Sequence, residues 1–111
     1  MALKQGVDSQ ATGKTSGNLL EGSEFEFLSA PARVTVSAVG EAGEDVALSW
    51  TAGNVQLFTE CAVYVGTNFP QIPENVLDSE PIPAAQRMIL KWTNGNAATK
   101  KLYWRVDVDY L

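Results

Sequence analysis

The chain has 111 residues, 45% of them hydrophobic, with a net charge of −5, no histidine and a single cysteine. That length suits one domain around one core. Cys61 alone excludes an intrachain disulfide, and no stretch approaches the ~20 apolar residues of a membrane-spanning helix.

Residues 1–20 hold Gly6, Gly13 and Gly17 among Gln, Ser, Thr, Asp and Asn, and the larger apolar residues Met1, Leu3, Val7, Leu19 and Leu20 follow no period. Burial within this segment cannot offset its ordering entropy. A flexible N-terminal arm is expected, either a disordered terminus or a segment that orders on a partner. Strand patterns crowd residues 21–111, which are read as the domain. Residues 24–28 alternate with Phe25 and Phe27 on one face, and Ala30-Pro31 breaks the run. Residues 33–39 alternate again and are rich in β-branched side chains. A turn is expected over 40–44. Val46, Leu48 and Trp50 then share a face. Gly53-Asn54 marks the next turn, followed by short strands over 55–58 and 61–65. Residues 66–85, with Pro70, Pro73, Pro81 and Pro83, form a long irregular stretch. Such stretches are functional or hide an element; Val76-Leu77 within it reads as a short strand or a helical turn. Residues 87–92 set Met88, Leu90 and Trp92 on one side. Asn94-Gly95-Asn96 turns the chain toward the last strand, which predicts an antiparallel hairpin. In that last strand Leu102, Trp104, Val106, Val108 and Tyr110 face one way, and Lys101, Tyr103, Arg105, Asp107 and Asp109 face the other. No window carries helical spacing. Seven short strands in 111 residues predict an all-β, antiparallel sandwich or barrel.

The charge is uneven: +1 over 1–20, −9 over 21–85 and +3 over 86–111. The acidic middle argues against nucleic-acid binding, which needs a basic footprint. Gly13-Lys14-Thr15 lacks the earlier glycine, the preceding strand and the following helix of a phosphate loop. The absence of histidine removes the commonest general base and metal ligand. Cys61 has no histidine partner and reads as a structural thiol. Asp107 and Asp109 share a strand face, as paired carboxylates of glycosidases can, but Lys101 and Arg105 beside them offer ordinary charge pairing. Glu41, Glu44 and Asp45 match no calcium loop. Trp50, Trp92 and Trp104 read as core. Tyr64, Tyr103 and Tyr110 leave sugar stacking open. No enzyme, cofactor or metal is expected.

Three stretches carry a family resemblance. LLEGSEFEFLSAPARVTVSAV joins a leucine pair, an aromatic strand and an Arg-Val strand. TAGNVQLFTECAVYVGTNFPQIPENVLDSEPIPAAQRMILKWTN holds a Gly-Asn turn, a Phe-Pro and Pro-Glu-Asn loop and a strand ending in Thr-Asn. GNAATKKLYWRVDVDYL supplies a turn and a closing strand. Together they resemble small β-sandwich proteins encoded with phage head genes. The resemblance implies a jelly-roll-like sandwich acting as a head-decoration (cement) protein on the capsid exterior. Assembly is expected in the host cytoplasm, since no apolar run of signal-peptide length follows Met1. The implied partners are the major capsid protein and further copies of the chain, with a trimer favoured and neither nucleic acid nor membrane. The contact residues expected are Leu3, Val7, Leu19 and Leu20 in the arm, and Phe69, Pro70 and Ile72 in the proline loop. A carbohydrate-binding module and a tail or neck adaptor are the alternatives.

Overall fold

The computed structural model describes residues 2–41, 46–71, 74–96 and 98–111. Their strands, in chain order, are β1 (Ala2–Gln10), β2 (Ala32–Gly40), β3 (Val46–Ala52), β4 (Val55–Ala62), β5 (Tyr64–Val65), β6 (Val76–Ile82), β7 (Met88–Asn94) and β8 (Lys100–Tyr110). No helix occurs among the described residues. The large sheet runs β1-β8-β2-β5, with β6 also paired to β2, and the small sheet runs β4-β3-β7. All pairings are antiparallel except the short β2–β5 contact.

Period-two burial makes the core. The large sheet contributes Val34, Val36, Ala38, Leu102, Trp104, Val106 and Val108, and the small sheet Val46, Leu48, Trp50, Met88, Leu90 and Trp92. All three tryptophans are buried, as expected, and Trp50 meets Phe58 with ring centroids 5.8 Å apart. At about 25 cal/mol per Å² of apolar surface, these faces are the main source of stability.

The chain pairs with itself from its ends inward. β1 lies against β8, residues 13–19 against β7, β2 against β6, and β3 against β4. Residues 13–19 are not a regular strand, yet they cover the outer edge of β7. Gly13, Ser16 and Leu19 donate backbone N–H bonds to Asn94, Trp92 and Leu90 carbonyls at 2.7–2.8 Å. The Ser16 hydroxyl and the Asn18 Oδ1 accept the N–H groups of Trp92 and Leu90.

The leading segment is therefore no free arm. Residues 2–10 form β1, in unbroken register with β8 from Ala2–Val108 to Gln10–Lys100. It orders through main-chain pairing rather than burial, since none of its side chains is fully buried. Gly6 is required there, because a Cβ would sit 2.9 Å from Trp104 Cζ2. Asp8 Oδ2 accepts the Trp92 indole N–H at 2.7 Å and so ties β1 to the opposite sheet.

Three other expectations are corrected, and the open reading of the proline-rich stretch resolves to a hidden strand. Residues 24–26 are turn and Phe27 makes only an isolated antiparallel bridge to Arg87, because Ser23 and Asn18 satisfy nearby backbone groups locally; Phe25 is buried and Phe27 exposed. The two short strands after Gly53-Asn54 are instead β4 and the two-residue β5. The proline-rich stretch hides β6, which keeps Pro81 by pairing only at the sheet edge, with β2. β7 and β8 are not a hairpin: they lie in different sheets, and Asn94 fixes the crossing through its side chain. The 40–44 turn and the Glu44 and Asp45 carboxylates extend beyond the described residues, as do Ile72 and the Cys61 side chain.

Gly53-Asn54 does make the two-residue β3–β4 turn, with Ala52 opposite Val55 and Gly53 at φ 58°. A positive φ only at the first central residue is the type II′ geometry. A Cβ here would also collide with Gln86 Oε1, although that side-chain end can move aside. Gly53→Ala is expected to cost about 1–2 kcal/mol from the left-handed backbone, measured by urea unfolding beside an Asn54→Ala control.

Candidate docking surface

Two functional readings can be tested on the outer face of the large sheet: contact with a protein lattice, and sugar stacking on tyrosines. Strand alternation and register assemble that face in rows. One row runs Val7, Tyr103, Val39, with Tyr64 in register beyond. The next runs Gln5, Arg105, Ser37, and the third Leu3, Asp107, Thr35, Ser79. Phe69, from the segment after β5, places its ring edge-on to Tyr103 with centroids 5.6 Å apart. Its loop is drawn onto the sheet by Gly66, whose N–H donates to the Gly40 carbonyl at 3.0 Å.

The first row is apolar and the other two are largely polar. Leu3 and Val7 are each 47% exposed, Tyr64 46% and Phe69 39%. Arg105 grips Asp107 through a fork, with Nε and Nη2 each 2.9 Å from a carboxylate oxygen. Asp107 is nearly buried and paired, whereas Asp109 is exposed. The two aspartates thus have different surroundings, and the charge-pairing reading of this strand holds for Arg105 and the buried Asp107, with no such pair at Lys101 or Asp109 among the described residues. Thr35 and Ser79 hydroxyls meet at 3.0 Å, and Arg33 reaches Ser79.

The expected contact residues divide. Leu3, Val7 and Phe69 are exposed on this one face. Leu20 is fully buried and Pro70 is buried, so both belong to the interior; Leu19 is half-buried against the core. Sequence reasoning missed that Tyr103 and Tyr64 complete the row, because the placement of β5 beside β2 leaves no local signal. The Tyr103 face available for a sugar is narrowed by the Phe69 edge.

Other candidates resolve into structure. The Gly13 amide is committed to Asn94 and the Lys14 amide to Ala11, so neither can cradle a phosphate. No group of three or more potential metal ligands gathers among the described residues. A groove of about 270 Å³ opens between the β3–β4 turn and the end of β6, lined by residues that include Val55, Leu57, Pro81, Ile82 and Gln86. Most drug-sized ligand pockets are larger.

On the opposite flank, Glu26 Oε2 accepts Arg87 Nε at 2.8 Å, and its other oxygen accepts the Gly22 N–H at 3.1 Å. Arg87 first, and the Gly22 amide second, hold the Glu26 carboxyl below its ordinary value of 4.5. A depressed carboxyl contributes stability above its unfolded value and loses it as pH falls through the lowered folded value. Arg87→Gln is therefore expected to lower the urea midpoint at neutral pH and to converge on the parent as pH falls below the lowered Glu26 value.

Set against known proteins, the chain matches no family model and no curated relative.

Proposed function

We propose that this chain is a structural β-sandwich protein of a phage head, a decoration protein that lays the outer face of its large sheet on the major capsid protein. The observation that carries the reading is the apolar row of Val7, Tyr103 and Tyr64 with Phe69 beside it: Val7, Tyr64 and Phe69 are exposed and Tyr103 half-exposed, with Val39 buried between Tyr103 and Tyr64, on a sheet face that a monomer gains nothing by exposing. The nested pairing supports the jelly-roll form of the sandwich: with residues 13–19 counted as a strand and the two-residue β5 left aside, two four-member antiparallel sheets arise from one folded-over ribbon. A rigid slab with an apolar stripe suits repeated weak contacts, which sum over a lattice by avidity. Gripping by a loose arm has no part in this reading.

The test is occupancy on undecorated capsids. Tyr64→Ser and Phe69→Ser, both at exposed positions, are expected to keep the unfolding midpoint and to cut bound copies at least about tenfold, since hot-spot aromatics commonly carry 2 kcal/mol or more. Full occupancy by both variants overturns the docking face. Loss of glycan-array binding in Tyr64→Ser, with capsid occupancy unchanged, replaces this reading with carbohydrate recognition.

A further inference from the structure

We propose that β1 is a homotypic edge: two copies of this chain pair β1 with β1 in antiparallel fashion about a twofold axis at Gln5, so that the large sheet of one runs on into that of the other. The inference rests on edge geometry and stands apart from the capsid reading.

An unpaired sheet edge is a template for another chain, and folded proteins blunt such edges. Three edges of this molecule are blunted. Residues 13–19 cover β7. β6 carries Pro81 next to its last residue, with Glu80 and Asp78 in register with the inward-facing Val34 and Val36. β4 is broken by two register shifts against β3. β1 shares one of these devices, since Lys4 and Asp8 stand in register with the inward-facing Val106 and Leu102, but it lacks the others. It runs nine residues without proline or register shift. Among the described residues, Asn94 Nδ2 on the Gln10 carbonyl is the one hydrogen bond to its main chain outside the β8 ladder.

The side chains favour a second copy of the same strand. On the outer face β1 presents Leu3, Gln5 and Val7, and this apolar–polar–apolar order reads alike from either end. A twofold at Gln5 sets Leu3 across from the partner's Val7 and Val7 across from the partner's Leu3. Both are 47% exposed in the single copy, and cross-strand apolar pairs of this kind stabilise a sheet. Gln5 meets the partner's Gln5, an amide able to donate and accept at once. On the other face Lys4 meets the partner's Gly6, which has no side chain to oppose it. Lys4 and Asp8 leave the strand without net charge, so the copies do not repel along the seam. Val7 also flanks Tyr103, and the seam therefore extends the apolar row of the docking face. This symmetry yields a closed pair, in place of the trimer that the family resemblance implies.

Sedimentation equilibrium of the full chain tests the proposal. The expected result is a monomer–dimer equilibrium, weak as a single-strand seam of small area must be. Val7→Lys is expected to weaken it at least about tenfold, with an unchanged unfolding midpoint because the side chain is exposed; Lys is a recognised edge blocker. Gln5→Cys in a Cys61→Ser background is expected to give a disulfide-linked dimer under mild oxidation, while Ser9→Cys, far from the axis, stays largely unlinked. A monomer at every concentration overturns the proposal. So does a trimer, an association indifferent to Val7→Lys, or a dimer in which Ser9→Cys links and Gln5→Cys does not. Normal dimerisation with no capsid binding leaves this inference standing and removes only the capsid reading.

Discussion

Asn94→Asp is expected to destabilise the fold by about 3–5 kcal/mol, two lost bonds each leaving a carbonyl unpaired at about 1–3 kcal/mol. Asn94 is fully buried. Its Nδ2 donates to the Gln10 carbonyl at 2.8 Å and to the Ala98 carbonyl at 2.9 Å. Its Oδ1 accepts the Asn96 backbone N–H at 2.9 Å and the Asn96 amide at 3.0 Å. Its own backbone is joined to Lys14 and Gly13. The side chain thus holds the end of β1 and the crossing between sheets, while the backbone of the same residue holds the edge cover of β7. Aspartate fits the space but presents oxygen to two carbonyl oxygens that need a donor. The thermal midpoint should fall by roughly 10–20 °C. Burial and the two carbonyl oxygens facing its second oxygen raise the new carboxyl's pKa, against the two Asn96 donors on the first, and protonation restores one O–H donor. The deficit should therefore shrink as pH is lowered, and thermal melts at neutral and at acid pH measure both effects. An equal deficit at both pH values would mean that the carbonyls at Gln10 and Ala98 are not the cause.

The second large effect separates two tryptophans of equal size. Trp92→Ala and Trp50→Ala should each cost about 3–5 kcal/mol, the usual range for emptying an aromatic site. The phenylalanine variants should diverge. Trp92 Nε1 donates to the Asp8 carboxylate at 2.7 Å, whereas Trp50 Nε1 is buried with no hydrogen-bond partner among the described residues. Trp50→Phe removes an unpaired N–H and recovers part of its packing loss. Trp92→Phe forfeits a bond to a charged acceptor, worth about 1.5–3 kcal/mol, and unties β1. Guanidinium unfolding should rank Trp92→Phe below Trp50→Phe. Hydrogen exchange should show residues 2–10 losing protection in Trp92→Phe alone, and matched exchange in the two variants would refute the tie.

Half the core was legible in the sequence, because alternation at Val46, Leu48, Trp50, Met88, Leu90, Trp92 and the β8 residues is itself a burial code. What escaped was pairing without burial. β1 has little to bury, so hydrophobicity marks it as loose, yet β8 offers it a complete backbone ladder. Residues 13–19 escaped for a related reason: their bonds come from Ser16 and Asn18 side chains as much as from a regular ladder. β6 was masked by Pro81, tolerable only at an edge whose position depends on the rest of the sheet. Asn94 read as the start of a tight turn because asparagine serves turns and buried crossings alike. Of the candidate face, Leu3, Val7 and Phe69 were recognisable as apolar residues in polar surroundings. Their meeting with Tyr103 and Tyr64 depends on strand order, which local pattern does not carry.

The end-to-end nesting of strands has a consequence for biosynthesis. Of these eight strands β1 leaves the ribosome before the others, and β8, which receives it, after them. At ordinary translation speeds the early strand waits roughly 5–20 s for its mate. The same remoteness of partners places the molecule among slow-folding topologies. During that interval β1 has no partner within its own chain and stays open to pairing with other nascent copies on the same message.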